Sequence, residues 1–307
     1  MRIGLDLGGT KVEAIALSET GAELLRFRRP TPVDDYRATV KLIVDMVAEI
    51  ESTVGAADSI GLGTPGTIDP VSGLMKNSNS TALNGRPLDG DLESALAREI
   101  AMANDADCFT VSEAHDGGGA GSGVVFGVIL GTGVGGGLVV DGRLVSGPNR
   151  IAGEWGHNPL PWMSLTEAPG PDCYCGRQGC IETFLSGPGI AADHVRWAGT
   201  TSSAAAIAAA AAAGEPEASH TMERFHDRLA RALSGVINIV DPDVIVLGGG
   251  VSNIESIYRA VPGMWSRYVF GGTVLTRLVR AVHGDSSGVL GAARLWHASG
   301  ANVPKRN

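Results

Sequence analysis

Four residues carry the most specific chemistry in this chain: His157, Cys173, Cys175 and Cys180. One histidine and three cysteines form a tetrahedral zinc set, and a site filled by four protein ligands is closed and structural. Gly176 and Gly179, between the cysteines, supply the turns that a compact knuckle needs. Cys173 and Cys175 are one residue apart, so a disulfide between them would be strained. Clustered cysteines in a cytoplasmic chain favour metal over disulfide. Two acids, Glu154 and Glu182, flank the ligands, so a metal-bound loop would also fix two carboxylates. Cys108 stands apart and reads as a small buried hydrophobe.

Four further clusters could do chemistry. Asp6-Leu7-Gly8-Gly9-Thr10-Lys11 joins two strand-like runs. Its glycines either make a plain hairpin tip or let backbone amides approach a phosphate, with Thr10 and Lys11 as donors and Asp6 beside the metal of a metal–nucleotide. It is no P-loop, because Gly-x4-Gly-Lys-Ser/Thr is absent and no helix follows. Gly131-Thr132-Gly133-Val134-Gly135-Gly136 has dinucleotide-fingerprint spacing, but a strand follows it where that fingerprint opens a helix. A second phosphate-contacting hairpin fits better. Gly284-Asp285-Ser286-Ser287-Gly288 has nucleophile-elbow spacing, yet no Asp or Glu follows Ser286 to complete a triad in the hydrolase order. Asp285 to Ser287 are read instead as the N-cap of a closing helix. Asn104-Asp105-Ala106-Asp107 ends a strand, so an acid there is either a helix cap or a general base.

The elements that must hold these residues alternate between strand and helix. Strands are expected over 3–7, 12–17, 24–28, 59–63, 100–103, 124–130, 137–140 and 244–247. Helices are expected over 36–54, 88–99, 108–116, around Ile190, through the alanine run 204–213, over 222–240 and after Gly288. Gly117 to Gly119 form a candidate hinge, and the strand–glycine turn–strand unit of the N-terminus returns at Val124. Glycine is abundant, 44 of 307 residues against a usual ~7%, which suits tight turns and close backbone–ligand approach. The net charge of −9 and the lack of a basic run argue against a nucleic-acid surface. The alanine run is too short to span a bilayer, and the N-terminus shows no signal segment, so a cytoplasmic protein without membrane partners is expected.

Taken together, the motifs resemble the ROK family of sugar kinases, repressors and open reading frames. The resemblance covers nearly the whole chain, from Ile3 to about Trp296. Asp6 to Lys11 resembles the family's first phosphate loop, Gly63-Thr64-Pro65-Gly66 its sugar-side turn and Asn104-Asp105 its catalytic pair. Gly131-Thr132-Gly133 resembles the second phosphate loop. Glu154-x-x-His157 and Cys173-x-Cys175-Gly176-x-x-Gly179-Cys180-x-Glu182 resemble its signature block. Lys76 to Thr81, His157 to Trp162 and His283 to Gly288 look most like the bacterial fructokinases, or manno(fructo)kinases. Ala82 departs from the bulky aromatic usual in those enzymes, and Asp107 from the usual Asn.

The resemblance implies an α/β fold of the actin-like ATPase (hexokinase) type, two lobes with a central cleft. The lobes are drawn at 1–117 plus the C-terminal helix 288–300, and at 118–287 with the zinc loop 157–180. Gly66, Asn79, Asn104, Glu154, His157 and Glu182 would bind the sugar, His157 giving one ring nitrogen to structural Zn²⁺ and the other to a hydroxyl. Asp105 would be the general base. Asp6, Gly8, Gly9, Thr10 and Lys11, with Gly131, Thr132 and Gly133, would serve the phosphates of ATP and its Mg²⁺, and Gly248, Gly249 and Gly250 the adenosine. The reaction expected first is fructose to fructose 6-phosphate. The alternatives are an N-acetylglucosamine kinase or glucokinase of the same family and, from another class, a sugar-responsive regulator without catalysis. Family repressors carry a helix-turn-helix before the first phosphate loop, for which a strand starting at Ile3 leaves no room. A homodimer is expected.

Overall fold

The computed structural model describes residues 1–298. Strands β1 (Arg2–Leu7), β2 (Lys11–Leu17) and β3 (Glu23–Pro30) lead into helix α1 (Tyr36–Val54). β4 (Ser59–Thr64), the short pair β5 (Thr67–Ile68) and β6 (Met75–Lys76), α2 (Leu88–Leu96), β7 (Ala101–Asn104) and α3 (Asp105–Asp116) follow. Then come β8 (Val124–Leu130), β9 (Val134–Val140), β10 (Arg143–Leu144), α4 (Ile181–Leu185), α5 (Gly187–Ala198), α6 (Ala204–Ala212) and α7 (Pro216–Val240). The chain ends with β11 (Val244–Gly248), α8 (Ser256–Met264), β12 (Arg277–Arg280), α9 (Ser287–Ala292) and α10 (Leu295–Ala298).

Two five-stranded sheets share one plan, β3-β2-β1-β4-β7 and β10-β9-β8-β11-β12. In the first, β2 runs antiparallel to β1 and β3, while β1, β4 and β7 are mutually parallel. In the second, β8, β11 and β12 are parallel. Each plan gathers the C-terminal ends of three parallel strands along one edge, which is where open α/β sheets place ligand groups. The Gly8, Gly63 and Asn104 turns leave the first edge, and the Gly131 and Gly248 turns leave the second.

The chain divides into two compact units, one of Met1–Ala120, Gly137–Ala152 and the return from Asp285, the other of Gly121–Gly136 and Gly153–Gly284. The lobes drawn from the sequence kept 118–287 together.

In the first unit Ile3, Leu5 and Leu7 of β1 are buried, and α1 answers with Ile43, Met46, Val47 and Ile50, one helical stripe. Each such side chain contributes about 1.5–3 kcal/mol by leaving water. α9 lies directly on the sheet because two strand positions are glycine. A Cβ on Gly4 would stand 2.3 Å from the Val289 carbonyl oxygen, and one on Gly61 1.9 Å from that of Ala292.

Several boundaries differ from expectation. The closing helix is α9 and α10 with a turn at Ala293 and Arg294, and the expected residues 299 and 300 lie outside the described ones. Ser286, at the N-cap of α9, makes no side-chain cap hydrogen bond: it accepts a hydrogen bond from Arg26 (2.8 Å), and Ser287 donates to Glu113 (2.9 Å). α2 stops at Leu96, where Ala97 turns left-handed. α3 starts at Asp105, three residues earlier than its apolar pattern suggested, because Asn104 caps it.

Candidate active site and metal centre

In the first unit, β1 ends beside a tight hairpin in which the Gly8 N–H donates to the Lys11 carbonyl (3.0 Å). The Thr31 hydroxyl donates to the Gly8 carbonyl (2.7 Å) from outside the turn, leaving Gly9, Thr10 and Lys11 exposed. Asp6 sits at the root of this turn, in register with Gly63. Burial, Asp105 and Glu13 push its carboxyl up to about 6, and Lys11 pulls the other way. A half-buried acid short of positive charge suits a divalent cation.

Asn104 closes β7 and caps α3, its Oδ1 accepting the Asp107 N–H at 2.6 Å. The cap that the sequence left open between Asp105 and Asp107 is therefore Asn104, and its amide NH₂ remains for a ligand. Asp105 is the first residue of α3 and accepts the Ala106 N–H (2.8 Å). Its position at a helix N-terminus favours the anion by about 0.3–1 kcal/mol. Burial nevertheless wins and raises the carboxyl above its ordinary value, although the residue keeps an exposed face. Asp107 is buried in α3.

The other residues expected on the sugar side lie, in this unit, around the 76–84 segment. Gly66 approaches the 76–78 segment so closely that a Cβ there would lie 2.5 Å from the Lys76 carbonyl oxygen. Asn84, which the sequence reading did not single out, clamps that segment by accepting the Ser78 N–H (2.9 Å) and donating to the Ser78 carbonyl (2.8 Å). Its one signal was the Asn84-Gly85 turn dipeptide. Asn79, next to the clamped residue, is exposed. Ala82 opens onto a pocket of ≈430 Å³ that Tyr36 and Arg86 also line.

In the second unit the knuckle forms as its spacing demands. Ligand atoms of His157, Cys173, Cys175 and Cys180 all lie within 4.8 Å of one another. Cys173 Sγ is 3.6 Å from His157 Nδ1, and Cys175 Sγ is 3.6 Å from Cys180 Sγ. A tetrahedron with metal–ligand bonds of about 2.0–2.3 Å has edges of about 3.7 Å, so the four residues fit a tetrahedral ion. Burial pushes the Cys173 and Cys180 thiols up, Cys180 to about 12, while a hydrogen bond from the Arg177 N–H pulls Cys175 down. Thiols this close share their protons unless a cation replaces them. Gly176 and Gly179 take φ of +85° and +69°, the left-handed turns expected of them. Cys108 is fully buried, far along the chain in the other unit.

His157 departs from expectation in one respect: its free Nε2 is 3.0 Å from the Tyr174 hydroxyl, which stands where a sugar hydroxyl was expected. The segment leading into the knuckle is anchored by Glu167, which receives Arg228 (2.8 Å) and Arg231 (2.7 Å). Burial alone would raise this acid, but the two guanidiniums hold it at about 2. Glu154 is exposed at the start of the turn that carries His157.

The turn expected to be the second phosphate loop closes with the Gly131 N–H donating to the Gly133 carbonyl (2.9 Å). The Gly187 N–H reaches the Gly131 carbonyl (2.8 Å). Glu182 Oε2 accepts the Val134 N–H (2.8 Å), and buried Trp155 donates its indole N–H to the Gly135 carbonyl (3.0 Å). The Gly248 to Gly250 turn backs onto the same strand end, where a Cβ on Gly249 would meet the Leu130 carbonyl oxygen at 2.4 Å.

Known proteins share this plan. The ROK family model matches residues 2–299. N-acetyl-D-glucosamine kinases of Vibrio parahaemolyticus and Yersinia pseudotuberculosis are each 40% identical over 96% of this chain and 99% and 98% of their own. The ROK hexokinase of Thermus thermophilus superposes with a TM-score of 0.85 at 30% identity, over 95% of this chain and 96% of that one. The ROK glucokinase of Streptomyces griseus, solved with glucose and AMPPNP, gives 0.73 at 27% identity, over 96% and 98%. The fold is the actin-like, hexokinase-type α/β fold.

Proposed function

The chain belongs to the ROK family, and from that premise we propose that it transfers the γ-phosphoryl group of ATP to a hexose, with N-acetyl-D-glucosamine as the acceptor. The observation that carries the chemistry is Asp105, a carboxyl raised by burial at the head of α3, beside the cap Asn104. The attacking hydroxyl gives its proton to Asp105 as its oxygen bonds to the γ-phosphorus, and the bond to the β-phosphate oxygen breaks to release ADP.

Asn79, the Asn104 amide, Gly66, Glu154 and Glu182 hold hydroxyls, and His157 Nε2 takes one when the sugar displaces the Tyr174 hydroxyl. The amides of Gly8 and Gly9 with Thr10 and Lys11, and the Gly131 to Gly133 turn, receive phosphate oxygens. Gly248 to Gly250 lie against the adenosine. Mg²⁺, near Asp6, would neutralise phosphate charge, and Zn²⁺, held by His157, Cys173, Cys175 and Cys180, would keep the knuckle in shape.

The acceptor follows from the relatives rather than from the fructokinase-like motifs, which had put fructose first. Relatives at 40% identity across 96% of the chain are named for N-acetyl-D-glucosamine, the alternative held beside fructose. At Ala82 the fructokinase resemblance departs from its usual aromatic, so that resemblance does not by itself fix the acceptor. Fructose stays as the second reading on Lys76 to Thr81 and His283 to Gly288. The test is kcat/KM for ATP-dependent phosphorylation of N-acetyl-D-glucosamine, fructose, glucose and mannose. The acetamido sugar should lead; fructose leading would restore the motif-based order.

A further inference from the structure

Glu182 does two jobs at once, and only one of them belongs to the sugar. It is the second residue of α4, two residues after Cys180, so the knuckle sets its position. Its Oε2 accepts the Val134 N–H at 2.8 Å, across 48 residues of sequence. The fit is close, since a Cβ on Gly133 would lie 2.6 Å from that same oxygen, so only glycine lets the turn and the carboxylate meet. The Gly187 N–H, one turn further along, holds the Gly131 carbonyl (2.8 Å). The next stretch is gripped from the His157 side, where the Trp155 indole binds the Gly135 carbonyl (3.0 Å) and a Cβ on Gly156 would be 2.2 Å from the Val134 carbonyl oxygen. The phosphate turn 131–133 is thus bounded on both sides by residues adjoining metal ligands, all within one unit.

We propose that Glu182 is a positioning residue for the nucleotide: through the Val134 amide it holds the 131–133 turn in its phosphate-receiving shape, so the knuckle and any hexose on Glu182 act on ATP affinity. The inference rests on the proposed kinase function but predicts something that function does not require, an effect on nucleotide binding with no sugar present. Glu182 spends Oε2 on the turn and has Oε1 for a hydroxyl, so the two occupants meet at one carboxylate. A hydrogen bond from an amide to a charged acceptor contributes enough for its loss to be seen as a change in affinity of about tenfold.

The experiment measures binding of AMPPNP with Mg²⁺ by calorimetry in the absence of sugar, on wild type, Glu182→Leu and Glu182→Gln. Leucine removes the acceptor and should weaken the analogue about tenfold. Glutamine keeps an oxygen for the Val134 N–H and should restore most of that affinity while still weakening the hexose. Equal analogue affinity in wild type and Glu182→Leu overturns the coupling and leaves the kinase reading intact; a wild type that binds no analogue overturns both. Amide hydrogen exchange on the wild type guards against a leucine variant that does not fold. The hexose that leads the kcat/KM comparison, added alone, should slow exchange across residues 131–136, and unchanged exchange there overturns the proposal.

Discussion

Asp6 lies near the end of β1 and Asp105 heads α3, both in the first unit. Both are raised by burial, and Asp6 is raised further by Asp105 itself. The shift of Asp6 from 3.8 to about 6 has a consequence for stability. Above pH 6 the folded, ligand-free protein holds a charge that burial disfavours; below about pH 3 the group is protonated whether folded or not, and the penalty disappears. One unit corresponds to about 1.4 kcal/mol, and partial solvent access trims the total to about 1–2 kcal/mol. Asp6→Asn should therefore stabilise the ligand-free protein by that amount at pH 7 and by almost nothing below about pH 3, read from urea melts, while abolishing turnover. No gain at pH 7 would show that the carboxyl is not strained in this way. The residue types of the site were legible in the sequence because each belongs to a short local motif. Which of Asn104, Asp105 and Asp107 caps α3 was not, because backbone geometry decides it and spacing does not.

At the scale of elements, the knuckle was the most legible part. Its ligands and its two left-handed glycines lie within one short run, and local chemistry alone dictates the turn. A structural metal contributes on the order of 10 kcal/mol to the piece it folds. Cys175→Ser should lose the bound zinc, measured by atomic emission, and weaken hexose binding by at least an order of magnitude, because His157 and Glu182 depart with the loop. A metal-free wild type that keeps full hexose affinity would contradict this. The approach to the knuckle was not legible. Glu167, Arg228 and Arg231 form a buried ion cluster between positions more than 60 residues apart, and no periodicity announces it. Removing the charge from one partner of such a cluster costs about 3–5 kcal/mol. Glu167→Gln should lower the unfolding free energy by about that much in denaturant melts; a change below 1 kcal/mol would mean the two arginines find water instead. The closing segment breaks into α9 and α10 at Ala293 and Arg294, and α9 is fitted to Gly4 and Gly61 on strands far away in sequence.

For the whole molecule, the recurring strand–glycine turn–strand unit was the legible clue, and it proves to be one sheet plan used twice. That plan explains why the functional turns were readable as glycine clusters: each follows the C-terminal end of a parallel strand. The return of the chain from Asp285 and the passage of Gly137–Ala152 into the first unit are long-range packing outcomes that no local pattern encodes. No described helix is long and apolar enough to cross a membrane. Single-turnover kinetics with ATP and N-acetyl-D-glucosamine read out phosphoryl transfer to a hexose with Asp105 as the base. Asp105→Asn should bind sugar and nucleotide with near-wild-type affinity, yet transfer the phosphoryl group about 10²–10⁴ times more slowly. Transfer within a few-fold of wild type would contradict the account and remove Asp105 from the reaction.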